Sequence, residues 1–233
     1  MPGPAVSPRP IPVSPSPEPP PVGGWWSDPR YLTLLVLLGA VPLLWPPLPP
    51  LTDALGHLAR YHIQIALPGS PDLQRYYGFE WRLIGNLGVD LLIEPLGRWL
   101  GVELATKLVA MAIPVITAAG LVLVARQLHG AAGSFTAFAL PLAYGYPFQF
   151  GFLNSTLSVG LALNAFALWL ALEDRRTLRA ALFVPIGLIL WVCHVFGWAL
   201  LGAALAAAEL VRARRRGRGL VASIGDTGLG TLP

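Results

Sequence analysis

Asp53, His57, Arg60 and Tyr61 stand at i, i+4, i+7 and i+8 in the run Thr52-Asp53-Ala54-Leu55-Gly56-His57-Leu58-Ala59-Arg60-Tyr61. At about 100° per residue, a helix gathers these four side chains into roughly a 100° sector. A carboxylate in such a set can accept a proton as a general base. An imidazole can orient a group or bind a metal, and a guanidinium can hold a phosphate through paired N–H bonds. The same residues have an ordinary use as well. Asp53 is a good N-cap, and His57 and Arg60 suit the polar face of any interfacial helix. Pro46, Pro47, Pro49 and Pro50 lie just upstream, so Thr52 or Asp53 is a natural helix start. Leu55, Leu58, Ala59, Ile63, Ile65 and Ala66 take the other side, which predicts an amphipathic helix with the acid, imidazole and guanidinium on its wet face.

A second cluster follows at Gln74-Arg75-Tyr76-Tyr77-Gly78-Phe79-Glu80-Trp81-Arg82. Aromatics interleaved with charges suit an interfacial belt. They also suit a groove where rings stack on a sugar and Arg82 pairs with a phosphate, with Glu80 beside it. Asn86 and Asp90 are four apart and can share a helix face with that groove. Asp90, Glu94 and Arg98 form an i, i+4, i+8 series that internal ion pairing explains equally well. Asn154 and His194 fall at the ends of apolar runs, where polar groups are functional candidates, although both are close enough to the interface to be solvated. Lys107 can snorkel or pair with Glu103.

The elements that must position these residues are membrane spans. The chain has 233 residues, 55% hydrophobic and only 12% charged, against about 25% charged in an average soluble domain. Its mean hydropathy is +0.61. A water-soluble domain of this size cannot hide so much apolar surface, so an integral membrane protein with an all-α bundle is expected. One cysteine, Cys193, excludes a disulfide framework and a Cys-based zinc module. The net charge of +4 does not point to nucleic acid, because most positive residues flank apolar runs.

A crossing helix needs about 20 mostly apolar residues. Tyr31–Pro47 (with Trp25, Trp26 and Trp45 as anchors), Leu104–Val124, Ala132–Tyr146 and Leu153–Leu172 each read as one span. Ala180–Val211 lies between two arginine clusters, which implies an even number of crossings: a hairpin turning near His194–Trp198, with a single tilted helix as the competing reading. Trp81–Leu100 carries four charged residues with Pro95 and several glycines, and reads as a half-buried surface helix. The expected architecture is therefore about six transmembrane helices over 25–211. Amphipathic surface helices occupy a first outer loop of about 48–103, and the N-terminus is cytoplasmic. Eleven of the sixteen Lys and Arg residues then lie inside. Residues 1–24 read as a disordered proline-rich tail, with ten prolines by residue 22, and 212–233 as a basic, glycine-rich tail.

Several signals are absent. The chain has no GxxxxGK[ST], no GxGxxG after a strand, no HExxH and no GxSxG. His57 and His62 are five apart, a poor spacing for a metal on one helix face.

One span followed by a long outer loop that opens with the acid of Pro49-Pro50-Leu51-Thr52-Asp53 resembles the GT-C glycosyltransferase superfamily. Those polytopic enzymes move a sugar from a polyprenyl-phosphate carrier to an acceptor at the outer face of the membrane. The resemblance implies Asp53 as the catalytic base. His57 and Arg60 would lie in the donor-phosphate region, and Tyr76 to Asp90 would form the second surface helix of the loop. Together with the clusters read above, the candidate substrate-binding residues are His57, Arg60, Glu80, Arg82, Asn86, Asp90, Asn154 and His194. A divalent metal on Asp53 is compatible with the resemblance, but no residue pattern demands one. Many members carry two adjacent acids here and more than ten spans, so the chain is expected to be either an N-terminal piece of such an enzyme or a relative that has lost catalysis, in a bacterial inner membrane. The competing expectations are a transporter or lipid-handling permease subunit and a non-catalytic membrane scaffold.

Overall fold

The computed structural model of the chain describes residues 24–217. The proline-rich stretch up to residue 23 and the glycine-rich end from 218 onward lie outside the described residues. Within them the chain is all-helical. The elements are α1 (Pro29–Leu37), α2 (Ala54–Ala66), α3 (Pro71–Tyr76), α4 (Gly88–Leu100), α5 (Val102–His129), α6 (Tyr146–Phe150), α7 (Leu153–Ala171), α8 (Arg176–Cys193) and α9 (Val195–Arg215). Short 3₁₀ stretches include Leu38–Leu43 after α1 and Thr136–Tyr144 before α6.

Four of these, α5, α7, α8 and α9, are long and apolar enough to cross a membrane. The apolar window of α9 is only 17% buried and that of α8 only 22%. Such faces are untenable in water and natural in lipid, where tails solvate them. The structure therefore fits a membrane protein. Two expected spans are shorter. Pro29–Leu43 is an apolar helical stretch of 10–17 residues, and it tightens into 3₁₀ geometry around Pro42. Ala132–Tyr146 is mostly the 3₁₀ stretch, with Pro141 inside it. The two run side by side with α5, and the Tyr144 hydroxyl donates to the Gly39 carbonyl at 2.5 Å.

α5 and α7 form the central pair of the bundle. Small residues let their backbones approach, as is usual where lipid offers no hydrophobic drive. A Cβ on Gly160 would stand 2.8 Å from Thr117 Oγ1. Asn164 fixes the register by donating to the carbonyls of Ile116 and Gly160, each at 2.8 Å.

The run 180–211 is a hairpin of two helices, not one tilted helix. The chain breaks at His194, whose backbone is extended (φ −169, ψ 135). α9 then folds back so that Arg179, near the start of α8, reaches Glu209, near the end of α9.

The loop between the first apolar stretch and α5 holds α2, α3 and α4, with α2 packed on α4 and α5. Two expectations fail here. The helix expected over Trp81–Leu100 begins only at Gly88, and no surface helix runs from Tyr76 to Asp90, because residues 77–87 are non-helical. Gly78 and Gly85 weaken any helix there, and the backbone hydrogen bonds of this stretch go to another element. The Leu87 N–H donates to the Val192 carbonyl at 2.8 Å, and the Val195 N–H donates to the Gly85 carbonyl at 3.1 Å. Breaking the helix pair at His194 leaves terminal backbone groups without partners inside either helix. The loop supplies their partners.

Candidate functional site

The face of α2 expected to be wet is so only in part: Arg60 is exposed, Asp53 and His57 are half-buried, and the Tyr61 edge turns inward. Tyr61 is 0% exposed and Gln64 4%, while Leu55 on the opposite side is 70% exposed. Gln64 and Arg60 reach α4 because it offers Asp90 and Glu94, while of the expected apolar side Leu55 and Ala59 are exposed and Ile65 packs against the core. His57 is half-buried and stacks on Tyr61, with ring centroids 5.8 Å apart.

Asp90 is the centre of this arrangement. It is fully buried, and its Oδ1 forms an ion pair with the half-exposed guanidinium of Arg60. Its Oδ2 accepts from Asn154 Nδ2 at 3.1 Å. The same Nδ2 donates to the Asn86 carbonyl at 3.2 Å, and Asn154 Oδ1 accepts from the Val89 N–H at 2.5 Å. Asn154 at the start of α7 thus caps the N-terminus of α4 from another element, taking one of its orphan N–H groups. Asp90 in that first turn is favoured by the helix dipole as well. Gln64 completes the bridge, with Nε2 donating to Glu94 Oε2 at 2.7 Å and to the Asp90 carbonyl at 3.2 Å. Glu94 also accepts from Arg98 Nε at 3.0 Å.

Two groups here are displaced from their ordinary ionisation. Burial raises the Tyr61 phenol far above its usual value; the Asp90 charge adds to this and Arg60 opposes it, so the phenol stays protonated. Its hydroxyl is buried with no partner among the described residues. Burial alone would raise the Glu94 carboxyl, but hydrogen bonds from Gln64 and Arg98 and the Arg98 charge outweigh it and hold the carboxyl below the ordinary glutamate value.

Asp53 precedes α2 but does not cap it: its side chain accepts no capping hydrogen bond. Its backbone is fixed instead, the N–H groups of Thr52 and Asp53 donating to Gln149 and Phe150 carbonyls at 3.1 and 3.0 Å. Gly151 allows this approach, since a Cβ there would stand 3.1 Å from the Asp53 backbone.

The remaining expected residues are placed as follows. Glu80 and Arg82 pair with each other at 2.7 Å on the exposed loop, with their side chains 69% and 74% exposed. Asn86 joins the network through its carbonyl only and shares no helix face with Asp90, because it precedes α4. Asn154 is buried, not solvated. His194 Nδ1 accepts from the Phe196 N–H at 3.1 Å and caps α9, and burial lowers its pKa below the usual histidine value. Lys107 donates to the Leu44 carbonyl at 2.9 Å, closing the end of the first apolar stretch instead of pairing with Glu103. No group of three His, Cys, Asp or Glu side chains among the described residues could hold a metal ion.

Beside His194, α8 and α9 enclose an apolar groove of about 820 Å³ lined by Trp191, Trp198, Phe183 and Leu188, among others. At the far end of the hairpin is a polar cluster that spacing did not reveal. Glu209 accepts from Trp169 Nε1 at 3.2 Å and Arg179 Nη1 at 3.4 Å, and also from Arg212. Arg179, expected only as a topology signal, lies 3.9 Å above the Trp169 ring. The available signal was Glu209 itself, a lone acid late in an apolar run.

Comparison with protein-family models, curated proteins and solved structures finds no match to this chain.

Proposed function

We propose that the chain is a multi-pass membrane glycosyltransferase-like protein of the GT-C type, with Asp53 as the base that activates the acceptor hydroxyl and a polyprenyl-phosphate-linked sugar as donor. The observation that carries this reading is the state of Asp53. The backbone that carries Asp53 is anchored to the carbonyls of Gln149 and Phe150, yet its carboxylate is not used to cap its own helix. Preorganisation of that kind suits a group waiting for a substrate proton.

The neighbouring groups fit secondary roles. Arg60 is half exposed, and a guanidinium has five N–H groups, so its bond to Asp90 leaves donors for a leaving phosphate. Asp90, Asn154 and Gln64 then act as positioning residues that lock α2 on α4. The groove between α8 and α9 offers an apolar seat for a prenyl chain next to the loop. Glu80 and Arg82 could meet the sugar from the exposed loop. The reading includes six crossings, two of them short, with the loop outside and the N-terminus cytoplasmic.

The test is turnover of polyprenyl-phosphate-linked sugars by the full chain in proteoliposomes. Asp53→Asn should lower it at least 100-fold, about the worth of a general base, with unchanged helix content. Arg60→Lys should cost less than that. Undiminished turnover in Asp53→Asn removes Asp53 from the mechanism and with it this reading.

A further inference from the structure

A second groove lies at the opposite end of α7 from Asn154. It has a volume of about 720 Å³ and runs between α5 and α9 over α7. Phe166 and Leu170 form its floor, with Ala204, Ala208 and Val211 on one side and Leu128 on the other. Arg212, Arg215 and Arg216 stand at its end, with Glu173. The volume is in the range of roughly 300–1,000 Å³ that holds small ligands.

The charges at that end do not balance. Glu173 pairs with Arg212 at 2.9 Å, and Glu209 takes Arg179 and Arg212. Two carboxylates and two guanidiniums thus neutralise each other. Arg215 and Arg216 are exposed and pair with no carboxylate among the described residues. The groove therefore has an apolar body and a surplus of two positive charges at one end. From Ala204 to Arg216 the helix rises about 18 Å, a little more than half of a hydrocarbon core of about 30 Å. With the arginines at headgroup depth, the apolar part extends to the depth of acyl chains. An additional protein helix would match the apolar walls but would satisfy the two arginines only by bringing carboxylates of its own to that end, whereas a phosphate headgroup carries its charge there by construction.

We infer that this groove binds an anionic membrane phospholipid, its phosphate held by Arg215 and Arg216 and one acyl chain lying over Phe166 and Leu170 between α5 and α9. Guanidiniums suit phosphate oxygens because they donate in pairs. Basic sites between helices at the cytoplasmic side are where such headgroups bind. The inference goes beyond the transferase reading and does not depend on Asp53.

The experiment uses the full chain in nanodiscs containing both phosphatidylglycerol and phosphatidylcholine. Native mass spectrometry reads the lipid retained, and a photoreactive phosphatidylglycerol maps its contacts. Phosphatidylglycerol should be retained preferentially, with cross-links on Phe166 and between residues 204 and 211. The double variant Arg215→Gln, Arg216→Gln should lower that retention about tenfold or more, leaving phosphatidylcholine unchanged. Ala208→Trp, which fills the groove and keeps the arginines, should abolish the cross-links. Asp53→Asn should alter none of this. Equal retention of the two lipids overturns the inference, as does a preference that survives both variants. So does stronger phosphatidylglycerol binding after removal of residues 218–233, which would make the chain's own end the occupant. Cross-links between the α9 helices of two copies would also overturn it.

Discussion

Asn154 makes three hydrogen bonds from one buried side chain, to Val89, Asn86 and Asp90. Asn154→Ala should destabilise the protein by about 1–3 kcal/mol, since it leaves a helix N–H and a buried carboxylate short of partners. Asn154→Asp should cost more, because it sets a second carboxylate beside Asp90. Thermal unfolding in detergent measures both. The Arg60–Asp90 pair lends itself to a double-mutant cycle. Arg60→Met alone strands a buried charge and should cost about 2 kcal/mol, below the range for a wholly buried pair because Arg60 is half exposed. Asp90→Asn in the same chain should recover part of that loss. Additive effects would mean that the ion pair contributes nothing. The residues were singled out beforehand but their pairing was not legible: Arg60 and Asp90 are thirty apart, and Asp90 had a plausible local series with Glu94 and Arg98 on its own helix.

Two glycines of α9 make opposite predictions at the level of the element. A Cβ on Gly197 would meet the Ser158 carbonyl oxygen at 2.4 Å, whereas one on Gly202 would meet nothing within 4 Å. Gly197→Ala should therefore cost about 1–3 kcal/mol through overpacking of α7 against α9. Gly202→Ala should stabilise by roughly 0.5–1 kcal/mol, the usual gain of alanine over glycine in a helix. Reversal of the two signs in thermal unfolding would contradict the packing described. Helices such as α5 and α7 were legible because long apolar runs leave few alternatives. The orientation of α2 was not. A helical wheel separates two faces but cannot say which turns inward when the surroundings are themselves apolar. The start of α4 was missed for another reason: the hydrogen bonds of residues 85–87 go to Val192 and Val195, a hundred residues away in sequence.

For the whole molecule, both acid-sensitive groups act in the same direction. The pKa of His194 is lowered by burial, so its neutral form supports the fold fully above the usual histidine value of 6.5, and the support is lost as pH falls below it. Protonation also removes the acceptor that Nδ1 offers to Phe196. The unfolding temperature should therefore fall as the pH drops below the ordinary histidine value of 6.5. His194→Asn, which can still cap α9, should flatten that slope. Glu94 is lowered as well, so its contribution is present above the ordinary value of 4.5 and disappears only in stronger acid. The six-crossing arrangement is tested with single cysteines. Cys193 is buried and should stay silent. Cysteine at Gly78 should react with an impermeant reagent added outside, and cysteine at Thr177 should not; the reverse pattern would place the loop in the cytoplasm and remove the site from the donor.

The bonds from residues 85–87 to the corner of α8 and α9 bear on how the chain is assembled. The ribosome makes that loop about a hundred residues before its partners exist. Until the final hairpin enters the bilayer, Gly85 and Leu87 have only water to bond with, and the pocket against Cys193 that receives Gly88 has not formed. Folding of the last two helices therefore works as a latch, closing over a segment that was synthesised long before. A nascent chain halted ahead of Val192 should leave the loop open to protease, and release of the halt should protect it.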